Sequence, residues 1–369
     1  MARWYATKKR VATSCNVKSL YRISTFNLLV FLFFLAGGII FFYSGTSTFQ
    51  ISKKSAILDN SLALLSSKSE QTRTGILSGR KCANAARRPL GVMLSGDTIA
   101  RPLSGMQSAD MVIEMPVIVA DITRYLALFQ CQEPEEIGSI RSARGPFIGV
   151  AKGYGAIFAH WGGEHKALNQ LRDGVINNLD ALDLDHTFWR KPGIPMPHDG
   201  FSSYQRLWQA AERGGYTLST RQEPFFAFED KKPCQDCETH VITIGYPGKF
   251  QVSYQYNPQQ NAYLRFKGGT PERDALTKSQ VQVKNVLVLW ASIYHTYSQY
   301  DTVELDGKEG KLQAFIGGTS FFGTWRKEGF SKPLVFFNSQ GKPLSFLPGN
   351  IWVQILGLDQ NVQVTPLHL

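Results

Sequence analysis

The sequence predicts an α/β N-terminal ectodomain, a mixed sheet with helices, followed by a β-rich C-terminal domain, both behind one transmembrane helix. Three observations carry this prediction. Residues 26–43 (FNLLVFLFFLAGGIIFFY) contain no charged side chain. Between residues 80 and 225, short apolar strands alternate with helical patterns, which implies layered α/β structure. Beyond residue 240 the helical spacing stops, and strand-length runs separated by Gly, Pro and Asn take over.

The apolar run spans ~27 Å as a helix at ~1.5 Å per residue, about the hydrocarbon thickness of a bilayer. Ahead of it lie Arg3, Lys8, Lys9, Arg10, Lys18 and Arg22 and no acidic side chain. Such a flank resists translocation, so residues 1–25 are expected in the cytoplasm and the rest outside, in a single-pass arrangement at the cell membrane. A cleaved signal peptide has a shorter apolar core, ~7–15 residues, and Ser44-Gly45-Thr46 is a poor cleavage site. Of the net charge of +11, the tail accounts for six units, so the charge reports topology more than a basic surface. No basic stripe interleaved with aromatics suggests nucleic acid as a partner.

Residues 44–80, rich in Ser, Thr and Lys, are expected to form a flexible stem. The α/β domain is expected over 81–230. Strands are predicted at 89–94, 110–119, 123–130 and 155–160, and helices at 142–152, 165–171 and 201–213. The glycines at 162–163 permit a tight turn before the second helix. For the β-rich domain, 240–369, strands are predicted at 240–246, 250–256, 262–266, 285–290, 311–316, 319–325, 334–337 and 352–356.

Of the five cysteines, Cys15 falls in the tail and is expected as a free thiol. Cys82, Cys131, Cys234 and Cys237 lie outside, an even number where disulfides persist. Cys234-Gln235-Asp236-Cys237 reads as a small loop staple. A zinc site would need two further ligands, and Pro233 argues against a redox pair opening a helix. Cys82 with Cys131 is then the remaining pair.

The densest polar segment is 121–144 (DITRYLALFQCQEPEEIGSIRSAR). A strand carrying Arg124 leads to a second strand ending in Arg141-Ser142-Ala143-Arg144 at a helix start. Guanidiniums and a hydroxyl beside helix N–H groups suit an oxyanion or phosphate. The competing reading pairs these arginines with Glu133, Glu135 and Glu136 as surface salt bridges. In His160-Trp161-Gly162-Gly163-Glu164-His165, the glycines argue for a turn rather than one metal-binding helix face, so no metal ligands are assigned and His160 is expected at a strand end. In Met196-Pro197-His198-Asp199-Gly200-Phe201, Asp199 either caps a helix or faces the site. No nucleophile elbow, Walker loop, kinase set or dinucleotide fingerprint is present.

Arg101-Pro102-Leu103-Ser104-Gly105, Ala109-Asp110, Ile122-Thr123-Arg124, Gly138–Arg144 and Ala156–His160 with Gly162-Gly163 resemble the YerB-like family of two-domain bacterial cell-surface proteins of unknown function. Gly323–Lys327 and Leu347–Trp352 resemble its second domain. This chain departs from the lipoprotein members in having an apolar helix in place of a lipid. A remoter resemblance is to the LytR-CpsA-Psr transferases, which join polyprenyl-pyrophosphate-linked glycopolymers to peptidoglycan. It rests on Asp121 with Arg124, Ser139–Arg144, Ala159–Gly163 and Asp199-Gly200-Phe201 in that order. The acidic residue expected after the second-block arginine is absent, with Ser142 after Arg141 and Gly145 after Arg144.

That resemblance implies a ligand site of Arg124, Arg141, Ser142, Arg144, Gly162, Gly163 and His198, with Asp121, His160 and Asp199 in catalytic roles. It also implies a divalent cation such as Mg on Asp121 or Asp199, with His160 moving a proton. The apolar strands at Tyr125–Phe129 and Phe158 are expected to line a lipid-tail groove or the core. Two functional readings stay open. One is a membrane-anchored envelope protein that binds a phosphorylated, lipid-linked cell-wall precursor, with or without glycopolymer transfer. The other is a non-catalytic module contacting protein or glycan partners such as peptidoglycan.

Overall fold

Apolar residues on both faces of successive strands make this chain build one broad sheet and then cover it twice. The computed structural model describes residues 73–118, 122–234, 240–246, 248–296 and 299–366. The expected cytoplasmic tail, transmembrane run, most of the stem, Cys15, Asp121 and Cys237 lie outside the described residues. Among the described residues, no helix is long and apolar enough to cross a membrane.

In chain order the main elements are β1 (Leu90–Ser95), β2 (Met111–Ile118), β3 (Ile122–Phe129), α1 (Gly145–Gly153), β4 (Ile157–His160), α2 (His165–Arg172), β5 (Asn178–Asp180) and α3 (Tyr204–Arg213). There follow β6 (His240–Ile244), β7 (Val252–Asn257), β8 (Ala262–Lys267), β9 (Asn285–Trp290), β10 (Ile293–Thr296) and β11 (Tyr300–Val303). The last are β12 (Lys308–Ile316), β13 (Thr319–Lys327), β14 (Val335–Asn338), β15 (Ile351–Leu356) and β16 (Val362–Pro366). The described chain is thus mostly β with few helices.

A ten-stranded sheet runs β14-β13-β12-β9-β15-β2-β3-β1-β4-β5. It is mixed. β1 pairs antiparallel with β3 and parallel with β4, whereas β15 lies parallel to both β9 and β2. Strands of the C-terminal half therefore extend the N-terminal sheet, which the sequence reading did not anticipate. β15 supplies hydrogen-bonding partners to β2, which would otherwise be left as an unpaired edge. Ile351 N–H donates to Asp110 O at 3.1 Å to set the register.

Alternation along each strand divides the core in two. Met93, Ile113, Leu126 and Leu128 face a layer containing Phe147, Ile148 and Ala151 of α1. Val92, Leu94, Tyr125 and Ala127 face Tyr204, Leu207 and Ala211 of α3 and a second sheet built on β8-β7-β6-β16. Tyr125–Phe129 and Phe158 are fully buried here, so they form core and not a lipid-tail groove. Apolar burial at roughly 25 cal/mol per Å² makes these two layers the main stabilising term.

Between the sheets lies a polar knot. Glu114 of β2 accepts from Arg265 Nη2 at 2.7 Å, from Thr123 Oγ1 at 2.5 Å and from Lys267 Nζ, and all three charged groups are buried. Arg265 also pairs with Glu272 and lies 4.5 Å over the Trp352 ring. Burial alone would raise the Glu114 carboxyl, but Lys267 and Arg265 outweigh it and bring it down to about 2.

Residues 73–80, expected in the stem, instead dock on the core. Ile76 and Leu77 are buried, Ile76 N–H donates to Gln130 Oε1 at 2.9 Å, and Ser78 Oγ donates to Asp110 Oδ1 at 2.6 Å. The Cys82–Cys131 disulfide ties this segment to the end of β3, as the cysteine count predicts. Cys234 is disulfide-bonded as well.

Candidate anion site at the end of the first strand

Three arginines gather where β1 ends and β3 begins. Arg124 stands directly across from Ser95 in the β1–β3 register and is almost wholly buried. Its Nη1 donates to Ser142 O at 2.7 Å, which fixes the loop carrying the other two. Arg141 reaches the opposite wall, where Nη1 donates to Pro197 O at 2.7 Å. Arg144 occupies the N-cap of α1 without capping it through its side chain, and Pro146 lies in the helix's first turn, where its missing N–H costs little.

The loop is held by backbone bonds on both sides. Arg141 N–H donates to Met93 O at 2.9 Å, and Ala143 N–H to Gly162 O at 2.9 Å. Gly162 has φ +60, the left-handed region that glycine tolerates at little cost. A Cβ on Gly163 would come within 3.2 Å of the Ala143 Cβ. The two glycines therefore clamp the arginine loop, and Gly163 also lines the neighbouring cavity.

Charge balance distinguishes this cluster. Among the described residues, neither Arg124 nor Arg141 has a carboxylate within 4.0 Å, while Arg144 Nε is 3.7 Å from Glu164 Oε2. Burial, then the charges of Arg144 and Arg141, hold the Arg124 guanidinium well below its ordinary range. Arg141 is lowered by burial and by Arg144. The salt-bridge alternative fails on geometry, because Glu133 takes Arg87 at 2.8 Å and Glu136 takes Lys191 at 2.6 Å. Arg144 Nε is also buried without a hydrogen-bond partner.

His198 joins the cluster. Its Nδ1 is 3.5 Å from Ser95 Oγ and its Nε2 is 4.0 Å from Asp97 Oδ2. Burial, then the charge of Arg141, lower its pKa from the ordinary imidazole value. Asp199 is beside it and is engaged by Arg190 Nη1 at 2.7 Å, while Ser203 caps α3. Ser142 contributes its carbonyl to Arg124. Among the described residues, no group of three or more His, Cys, Asp or Glu could hold a metal ion.

His160 is fully buried, with Nδ1 2.8 Å from Gly162 O and Nε2 3.2 Å from Asn178 Oδ1. One ring nitrogen thus braces the glycine turn and the other meets β5, and the imidazole lies inside the fold, away from the arginines' open side. Sequence reasoning missed Ser95, Asp97 and Tyr300, whose ring lies 5.0 Å beneath the Arg144 guanidinium. A Ser-x-Asp directly after a buried strand was a legible signal for the first two. Tyr300, 156 positions beyond Arg144, gave none.

Residues 74–217 match the model described as "Protein of unknown function (DUF3048) N-terminal domain". Residues 242–353 match the corresponding C-terminal domain model. The curated protein "Putative lipoprotein YerB" of Bacillus subtilis (strain 168) is 33% identical over 288 residues, 77% of this chain and 85% of that protein. This chain belongs to the DUF3048, YerB-like family. A crystal structure of YerB protein from Bacillus subtilis superposes with a TM-score of 0.71 at 31% identity, covering 79% of this chain and 99% of that one. The DUF3048 N-terminal match takes in all three arginines and His198, and the C-terminal match takes in Tyr300.

Proposed function

We propose that this chain is a membrane-anchored, extracytoplasmic cell-envelope protein that binds a phosphorylated, lipid-linked cell-wall precursor through Arg124, Arg141 and Arg144. The observation that carries the reading is the gathering of three guanidiniums, two of them without a carboxylate partner among the described residues. Concentrating like charge in a partly dry site costs free energy that a bound anion offsets. A diphosphate presents several acceptor oxygens to planar guanidinium forks.

Placement outside the cytoplasm rests on the uncharged run at 26–43 behind its cationic tail, and on the Cys82–Cys131 disulfide, a bond that persists in oxidising compartments. The lipoprotein name of the Bacillus subtilis relative agrees with a membrane-attached location. The proposed order is a tail to residue 25, an anchor at 26–43, a stem, and the two family domains. The likeness to LytR-CpsA-Psr transferases makes glycopolymer transfer the finer form of the reading, with His198 as the imidazole beside the arginines.

The test is mass spectrometry of lipids extracted from full-length protein purified in mild detergent. A polyprenyl phosphate or diphosphate enriched with the wild type and absent from an Arg141→Ala/Arg144→Ala variant is expected. Equal lipid profiles for the two proteins would return the chain to the reading of a non-catalytic interaction module.

A further inference from the structure

A cavity of about 470 Å³ opens beside the arginine cluster, between the N-termini of α1 and α2 on one side and the β10–β11 hairpin on the other. Its near wall begins at Gly145, the residue after Arg144, and continues through Glu164 and Gln170. The far wall carries Tyr294, Thr296 and Tyr300. Two side chains join cavity and cluster. Glu164 lies 3.7 Å from Arg144 Nε, and the Tyr300 ring lies under the Arg144 guanidinium. A ligand anchored on the arginines therefore meets this cavity next.

The lining selects for a polyhydroxylated group. Gln170 Oε1 is buried without a hydrogen-bond partner and lies 3.6 Å from where a Cβ on Gly145 would stand. Gln170 also lines the cavity, where its amide brings both a donor and an acceptor to a sugar's hydroxyls. Glu164 adds carboxylate acceptors, and Thr296 and Thr302 add hydroxyls. Tyr294, 45% exposed, offers a ring face on which the C–H face of a pyranose can stack. An acyl chain would find these polar groups unsatisfied.

We infer that this cavity is a glycosyl subsite, which makes the ligand of the arginine cluster a sugar diphosphate ester with its first sugar held between Gln170 and Tyr294. The inference rests on the anion reading above and names the part of the ligand that the arginines do not recognise. It requires no covalent step.

The experiment is calorimetry on the full-length protein in detergent with two probes, farnesyl diphosphate and farnesyl diphosphoryl-N-acetylglucosamine. The wild type should bind the sugar-bearing probe at least about tenfold more tightly, a difference of ~1.4 kcal/mol. Gln170→Ala and Tyr294→Ala should each reduce that preference and leave farnesyl diphosphate affinity unchanged. Equal affinity of the wild type for both probes overturns the glycosyl subsite and leaves the anion reading standing. A preference undiminished in both variants overturns the placement of the sugar. Failure of both probes to bind overturns the subsite together with the anion reading, and a sugar preference that survives Arg141→Ala with no diphosphate affinity upholds the cavity alone.

Discussion

Replacing Glu114 with glutamine removes one charge from the knot between the two sheets and leaves its shape. In the wild type this carboxylate faces Arg265 at 2.7 Å, Thr123 at 2.5 Å and Lys267, all buried. The variant leaves Lys267 without a carboxylate and Arg265 with Glu272 alone, and removing one partner of a buried ion pair costs about 3–5 kcal/mol in comparable cases. The pKa gives a second route to the magnitude. Lowering the carboxyl from 4.5 to about 2 corresponds to about 3 kcal/mol at neutral pH. Because the folded pKa is depressed, the unfolded state binds more protons between those values. The contribution is complete above pH 4.5 and is lost as pH falls through about 2. Urea unfolding of the full-length protein in detergent, followed by tryptophan fluorescence, reads the effect, since buried Trp352 carries Arg265 over its ring. The expected result is a loss of about 3 kcal/mol at pH 7 that narrows steadily below pH 4.5. A loss under about 1 kcal/mol, or one that does not vary with pH, would refute the claim that the two buried cations hold this carboxylate ionised and stabilise the fold through it.

Arg141→Ala should weaken farnesyl diphosphate binding by about 1.5–3 kcal/mol, the worth of a charged hydrogen bond, with the thermal midpoint nearly unchanged because this residue is only half-buried. Gly163→Val should press on Ala143 and Leu168, displace the arginine loop and reduce diphosphate affinity with secondary structure intact by circular dichroism. Diphosphate affinity should rise as pH falls through the lowered pKa of His198, because the imidazole then adds positive charge; His198→Gln should abolish that rise in a calorimetric pH series. Cys82→Ser/Cys131→Ser opens a loop of sequence separation 49 and should cost about 4 kcal/mol by chain entropy in urea unfolding.

The central strands β1 to β4, β9 and β15 were legible because they are buried on both faces and stand out as apolar runs bounded by turns. Helix α3 was legible through Leu207, Ala210 and Ala211 at helical spacing before two glycines. Sheet membership was not legible. Nothing local in Ile351–Leu356 states that it will lie parallel to Met111–Ile118, since that pairing is decided by which edge is left open after the N-terminal strands assemble. The buried knot was hidden for a related reason. Arg265 and Lys267 alternate with apolar residues as solvent-facing positions would, yet the second sheet turns that face inward onto Glu114. At the site, the arginines were found by residue type and position ahead of a helix. The packing of His160 was not legible, because a histidine at a strand end before two glycines has the same local signature whether it faces a ligand or braces the turn.

The central claim is that Arg124, Arg141 and Arg144 together form a receptor for a phosphorylated ligand. Calorimetric titration of farnesyl diphosphate into full-length wild type and into Arg141→Ala/Arg144→Ala tests it most directly. Saturable binding to the wild type, absent from the double variant and weakened by added inorganic pyrophosphate, is the predicted result. Binding of equal strength to both proteins, or none to the wild type, would contradict it.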